Sequence, residues 1–465
     1  MSKQAGNHFL KKVISSTLKR PNRVIKRTLV TLANLFFNGG VSFATEMQGS
    51  TVKYSDLFGK VNDLDINQVY HDWERSDAKW NEGFYSDSCK IRKNILERIY
   101  ASQKIGSLTQ VPTFLSIGWS AAIGHIGCLG AFVIGQKLGV VPNSKRYLPV
   151  RDEEQAHRIE TIFQDQVGLV QMKNGFRLLE NPSHWHLSER LAMIRTLDDF
   201  IDLYDLHERV YQRKDLAELG LAMKLSESYE NLAQEKLEAL GLPKGAWFVG
   251  LHVRGEPNPL DPRNAEVGNF GLAVDEITSQ GGWIIRFGTS IMGPLGKSNN
   301  LVDLNLNSPE YRYLHLFVIA KSRFFLTTNG GPSFLGWAFG TPVLQTNTLS
   351  IGRNILSSSR NSLFLPKNWE SRNGEKISYC RLVMSLEGYN ETDLKQKSKD
   401  GYTLRENTAI EIRDATRDMF DQLNYKAPNF NLDSKLHDLR VSVKAVGHGV
   451  IAPSYLSANE NWFLN

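Results

Sequence analysis

After Gly241-Leu-Pro-Lys-Gly245, the sharpest punctuation in the chain, short apolar runs alternate with helical patterns almost without interruption. Strands are predicted at 247–253, 283–287, 301–304, 323–327 and 342–346, and helices at 268–279, 309–320 and 333–339. Parallel strands need a crossover connection, and a sheet covered by helices on both faces has continuously apolar strands. The alternation therefore predicts a parallel, doubly wound α/β sheet. Ligands of such sheets bind beyond the carboxyl ends of the strands, so the residues that follow each strand are the ones to inspect.

Upstream, a strand at 113–118, a small-residue turn from Ser120 to Gly127, a helix at 128–138 and a strand at 145–150 form a second strand-helix-strand unit. Two long helical patterns occupy 188–241, a further helix is expected at 88–102, another at 405–421, and an irregular tail runs to Asn465. With 465 residues the chain is long enough for two or three cores. The expected division is a basic amphipathic segment at 1–45, an extension at 46–112, a first α/β domain at 113–245, a second at 246–430 and a tail at 431–465. Two open α/β units suggest a cleft between them.

The net charge of +6 is not spread over the chain. Residues 1–45 carry Lys3, Lys11, Lys12, Lys19, Arg20, Arg23, Lys26 and Arg27 and no acid, leaving the remainder slightly acidic. An enzyme of nucleic acids would distribute its cations over a working surface, so nucleic acid is not an expected partner. Within 1–37, Leu10, Val13, Ile14, Leu18, Val24, Ile25, Leu29, Leu32, Leu35 and Phe36 recur at helical spacing opposite the basic residues. That pattern fits a helix lying on an anionic membrane surface. It also fits a helix packed on the protein's own core, or a signal peptide ending near Ser42-Phe43-Ala44. No run of about 20 apolar residues reads as an ordinary membrane span. Cys89, Cys128 and Cys380 are too few and too scattered for a disulfide framework or a zinc site, which points to a reducing, cytoplasmic compartment, with peripheral attachment to the inner face of the membrane as a variant.

Two strand ends carry chemistry. The strand Trp247-Phe-Val-Gly-Leu-His-Val-Arg254 ends with His252 and Arg254 two residues apart, hence on one side of the strand. The planar guanidinium is suited to phosphate oxygens. In Phe325-Leu-Thr-Thr-Asn-Gly-Gly-Pro-Ser333, a buried strand runs through Asn329 into Gly330-Gly331, and Pro332-Ser333 opens a helix. Glycines let backbone amides approach an anion, the helix N-terminus adds free N–H groups, and proline suits the first helical turn. One phosphate site explains both motifs, with Arg286 as a third contact from its strand end. The chain has no Gly-x-x-x-x-Gly-Lys-Ser/Thr loop and no Gly-x-Gly-x-x-Gly after its first strands, which sets aside P-loop NTPases and Rossmann dehydrogenases.

Gly250-Leu-His-Val-Arg254, Gly281-Gly-Trp-Ile-Ile-Arg-Phe-Gly288, Arg323 through Ser333 and Phe339-Gly-Thr-Pro-Val343 together resemble a bacterial family of glycosyltransferases associated with surface-polysaccharide gene clusters. The resemblance runs over roughly residues 110–460 and departs from the family pattern at Thr289, where an acidic residue is usual. The His-x-Arg element is similar to that of GDP-fucose-using fucosyltransferases, in which the arginine holds the donor diphosphate. The Gly-Gly-Pro-Ser helix start is similar to the donor site of heptosyltransferases.

The resemblance implies a GT-B-like fold of two doubly wound Rossmann-like domains facing a cleft, with the basic amphipathic extension in front. It further implies metal-independent transfer, with no cofactor, from a nucleotide-diphospho-sugar to a saccharide or lipid-linked acceptor. Arg254 would stabilise the leaving diphosphate, and His252, Arg286, Asn329, Gly330, Gly331, Pro332 and Ser333 would complete the donor site. The turn Ile123-Gly-His-Ile-Gly127 fits an acceptor-facing loop, making His125 a candidate general base, with Glu256 and Asp261 as alternatives. A nucleotide-sugar epimerase or hydrolase of the same architecture, and a non-catalytic nucleotide-sugar-binding protein, are the competing readings.

Overall fold

A computed structural model describes residues 44–47, 50–53, 64–81, 84–103, 113–115, 123–143, 146–150, 153–163, 167–171, 193–196, 199–211, 220, 222–255, 261–288, 293–295, 299–304, 311, 313–349, 362–378, 399–424 and 450–464. The amphipathic pattern of 1–37, Glu256 and Thr289 lie outside the described residues. The chain divides into two compact units, Met1–Gly59 and Lys60–Asn465. In the first, β1 (Ala44–Met47) and β2 (Ser50–Lys53) form an antiparallel hairpin with Ala44 opposite Lys53.

The second unit opens with α1 (Ile66–Asn81) and α2 (Tyr85–Gln103). Val69, Ile95 and Ile99 are buried between them, and Arg98 reaches Asp72 at 2.7 Å. Only the second of these helices is apparent from the sequence, because the apolar stripe of the first is broken by many charged residues.

β3 (Thr113–Phe114), α3 (Ile123–Lys137), β4 (Arg146–Val150), α4 (Glu153–Phe163) and β5 (Gly168–Gln171) build a small parallel sheet of order β3-β4-β5. The expected helical run at 188–241 is corrected at its start. There β6 (Met193–Arg195) and β7 (Phe200–Asp202) pair antiparallel before α5 (Leu203–Tyr211) and α6 (Glu227–Ala239).

The main sheet follows the predicted alternation up to residue 348, and its strand at Ser362–Pro366 was not predicted. Its elements are β8 (Phe248–His252), α7 (Gly271–Ser279), β9 (Trp283–Arg286), β10 (Leu301–Asp303), α8 (Leu314–Lys321), β11 (Phe325–Thr328), α9 (Pro332–Phe339), β12 (Val343–Thr348) and β13 (Ser362–Pro366). An antiparallel ribbon of β14 (Asn368–Ser371) and β15 (Tyr402–Arg405) leads to α10 (Ala409–Leu423). This helix starts four residues later than expected because Thr408 is its N-cap, with Glu411 completing a capping box.

The expected irregular tail is a correction as well: it contains β16 (Val450–Ile451), α11 (Pro453–Ala458) and α12 (Glu460–Leu464). Seven strands lie in the order β10-β9-β8-β11-β12-β13-β16, all parallel. From β8 the chain steps outward through β9 and β10, then returns to place β11 on the other side of β8. α7 packs on α10, and α8 packs on α9. Phe287 and Phe325 stack at 5.7 Å between ring centroids, and Trp337 is fully buried. Among the described residues no helix is long and apolar enough to cross a membrane.

Candidate functional site

The strand order reverses between β8 and β11, which are parallel neighbours with Thr327 opposite His252. That crevice, beyond the carboxyl ends of the two strands, is where an open α/β sheet binds ligands. Both sequence motifs end there. The Arg254 amide donates to Thr328 Oγ1 at 2.8 Å, tying the His-x-Arg strand end to the strand that leads into Gly330-Gly331. Gly250 lets this arrangement close: a Cβ there would meet Ser322 Oγ at 2.7 Å and Val318 Cγ1 at 3.0 Å. His252 lies near Thr327 Oγ1 and against the Phe287 ring. Burial, helped by the charge of Arg254, lowers its pKa to about 4, so the imidazole is neutral at neutral pH.

The turn after β11 is pinned through Asn329, whose buried Oδ1 accepts from Gln345 Nε2 and the Leu349 amide, each at 3.3 Å. Gly331 is the N-cap of α9 and Pro332 its first residue. Gly331 has right-handed helical dihedrals (φ −54°, ψ −35°), so its backbone does not demand glycine. A Cβ at Gly330 would likewise make only ordinary contacts. Among the described residues the amides of Gly330 and Gly331 donate no hydrogen bond, whereas those of Ser333 and Phe334 turn back to the carbonyls of Gly330 and Gly331. Two half-exposed glycines thus present amides and the positive end of α9 at the crevice. Ser333 is fully buried, and its hydroxyl makes no hydrogen bond among the described residues.

Arg254 is largely buried, and its Nη2 lies 3.4 Å from Asp261 Oδ2. Arg263 holds the same carboxylate, with Nε 2.8 Å from Oδ1. These contacts, Arg263 foremost, lower the Asp261 pKa to about 2, which makes it a poor proton acceptor and a good counter-ion. Buried Lys367, just after β13, donates to the carbonyls of Pro262 and Asn264 at 2.9 and 2.8 Å and so grips the loop on both sides of Arg263. Burial lowers the pKa of Lys367, partly offset by Glu406 at 3.6 Å.

Arg286 is buried and already engaged by Asp303 at 3.1 Å and by the Gly293 carbonyl. These bonds tie β9 to β10 and to the segment at Gly293. His125 sits in the first turn of α3, exposed, because the helix begins at Ile123 rather than near Cys128. A Cβ at Gly127 would lie 2.5 Å from the Phe334 carbonyl carbon, and one at Gly130 would lie 2.9 Å from Ala338 Cβ. α3 and α9 therefore run side by side in the same direction, with their N-termini at one end. The structure brings His252, Arg254, Asn329, Gly330, Gly331 and Pro332 to one crevice and sets His125 at the neighbouring helix start. Arg263 lies in an irregular segment, and Lys367 directly follows β13, a strand that the sequence pattern did not predict. The available signal was the second arginine two residues after Asp261.

No protein-family model matches the chain, and no curated protein does. Among solved structures it is similar to a glycosyl transferase family 9 protein from Veillonella parvula, with 14% identity over 68% of this chain and 97% of that one and a TM-score of 0.43. It is also similar to the E. coli ADP-heptose LPS heptosyltransferase II, with 10% identity, 62% and 97% coverage and a TM-score of 0.38. The UDP-GlcNAc 2-epimerase of Methanocaldococcus jannaschii gives 10% identity, 72% and 82% coverage and a TM-score of 0.24.

Proposed function

We propose that the chain is a GT-B-type glycosyltransferase of surface-polysaccharide synthesis, taking a nucleotide-diphospho-sugar at the carboxyl edge of its seven-stranded sheet and passing the sugar to a saccharide or lipid-linked acceptor. The observation that carries this reading is the bond from the Arg254 amide to Thr328 Oγ1, which ties the end of β8, followed by Arg254, to the end of β11, followed by Gly330-Gly331, at the switch point. Guanidinium and helix amides are suited to the charge that develops on a diphosphate as its bond to the sugar breaks. In the transfer, the acceptor oxygen forms the new bond to the anomeric carbon and its proton passes to His125. The electron pair of the broken bond goes to the diphosphate oxygen held by Arg254. These fixed positive groups supply the charge stabilisation without calling on a metal ion. The basic residues of 1–45 would hold the enzyme at an anionic leaflet, close to a lipid-linked acceptor.

The test is incubation of the full chain with GDP-, UDP-, ADP-, dTDP- and CMP-sugars, with and without a saccharide acceptor mixture. Acceptor-dependent release of a nucleoside diphosphate is expected from one of them. Conversion of a donor without acceptor would replace the reading with an epimerase or hydrolase. Binding without turnover would replace it with a nucleotide-sugar-binding protein.

A further inference from the structure

One carboxylate in the loop after β8 is held by two arginines. Arg254 and Arg263 both direct Nη2 to Asp261 Oδ2, and Arg263 adds Nε to Oδ1. The two guanidinium groups are therefore close enough to share a single anion, on the edge where the Gly330 and Gly331 amides also end. A structural ion pair needs one arginine. Here the contacting groups among the described residues are three cations, Arg254, Arg263 and Lys367, against the carboxylates of Asp261 and Glu406. Lys367 is only 4% exposed, a costly place for an ammonium group, and it donates to the two carbonyls that flank Arg263. A buried cation so placed fixes the path of the backbone that carries Arg263, and Arg263 itself stays 41% exposed at its side chain.

We propose that Arg254 and Arg263 form one two-guanidinium clamp for the donor diphosphate, with Asp261 as the internal counter-ion that the diphosphate displaces and Lys367 as the residue that positions Arg263. The proposal rests on the reading of this edge as a diphosphate site and adds to it a ligand residue nine positions beyond Arg254, in a loop outside any strand or helix. The exchange is a swap of acceptors. Each guanidinium keeps its charge and trades a carboxylate oxygen for a phosphate oxygen, a geometry in which arginine can bond through two parallel N–H groups.

Calorimetric titration of the full chain with inorganic pyrophosphate tests it, with thermal unfolding as a check on folding. Arg263→Ala should weaken pyrophosphate binding about 10- to 100-fold, the range expected for a lost hydrogen bond to a charged group. Arg263→Lys, which guards against a misfolded alanine variant, should recover part of that loss. Asp261→Asn should tighten binding by removing the competitor. Lys367→Met should weaken binding less than Arg263→Ala does. If Arg263 serves only to neutralise Asp261, the double variant Asp261→Asn/Arg263→Ala regains wild-type affinity, and that result overturns the proposal. Wild-type affinity in Arg263→Ala alongside a loss in Arg254→Ala overturns the clamp and leaves the donor site standing. Absence of pyrophosphate binding by the wild type overturns both.

Discussion

Arg254 follows β8 by two residues, with its amide on Thr328 and its guanidinium beside Asp261, so its side chain can be altered without cutting the strand pairing beneath it. Arg254→Ala should lower kcat/KM for the donor found in the panel by about 100- to 1000-fold, or about 3–4 kcal/mol of transition-state stabilisation. Arg254→Lys should restore only part, since it keeps the charge and loses the planar fork. Initial-rate kinetics check this, with circular dichroism to confirm the fold. The place of Arg254 beside His252 at the strand end was legible because strand periodicity alone puts the two on one side. Arg286 was legible as a strand-end arginine, and its bond to Asp303 was not. That bond depends on β10 lying beside β9 with Asp303 opposite Arg286, a register no local pattern states. Arg263 was hidden for a similar reason: an irregular loop has no period from which the direction of a side chain can be inferred.

At the scale of elements, the helix pair α3–α9 decides how the N-terminus carrying His125 stands beside the one carrying Gly330-Gly331. Close approach rests on glycine. An added Cβ at Gly127 meets the Phe334 carbonyl carbon at 2.5 Å and the Leu335 amide nitrogen at 2.7 Å, both backbone atoms that cannot rotate away. At Gly130 the nearest atom is the Met223 sulfur at 2.6 Å, the movable end of a flexible side chain, although Ala338 Cβ lies behind it at 2.9 Å. Gly127→Ala should therefore destabilise by about 1–3 kcal/mol, and Gly130→Ala by less. Urea and thermal unfolding of the two variants give the comparison, and equal effects would contradict the packing argument. The same contact explains why Ile123-Gly-His-Ile-Gly127 reads as a turn in sequence and folds as helix. Glycine costs roughly 1 kcal/mol in a helix interior, and only packing against α9, remote in sequence, offsets it. By contrast, β8 to β12 were legible because each contains or follows a short apolar run, while β13 and β16 were not predicted, and the start of α9 was legible because Gly-Gly-Pro is a local signal.

For the whole molecule, the central question is what holds the carboxyl edge of the sheet in shape, and the last residues of the chain supply much of the answer. β16 pairs with β13, placing Leu363 opposite Val450, and so covers an edge whose residues Leu363, Phe364 and Leu365 are buried. Tyr455 OH and Asn407 Nδ2 both donate to the Pro366 carbonyl, at 3.1 and 3.0 Å, immediately before Lys367. Ser454 binds Asp418 of α10 through its amide at 2.8 Å and its hydroxyl at 2.6 Å, and Trp462 Nε1 donates to the Ile377 carbonyl at 2.6 Å. The tail is thus fastened to the segment from which Lys367 grips the Arg263 loop. This was the least legible part of the fold, since a two-residue strand and two short helices present no period long enough to recognise. Truncation after residue 449 removes the buried side chains of Ile451, Ala452, Tyr455, Leu456, Trp462 and Phe463. Their burial is worth on the order of 10 kcal/mol, comparable with the entire net stability of about 5–15 kcal/mol usual for a domain. The truncated chain should lose its cooperative thermal transition, and the uncovered β13 edge should promote aggregation, seen by light scattering. The milder Tyr455→Phe removes the hydroxyl that bonds Pro366 and Asn368, on either side of Lys367, and should leave the sheet folded while weakening pyrophosphate binding through Lys367. A variant that unfolds at the wild-type temperature and binds pyrophosphate with wild-type affinity would show that the tail supports the sheet alone and not the site.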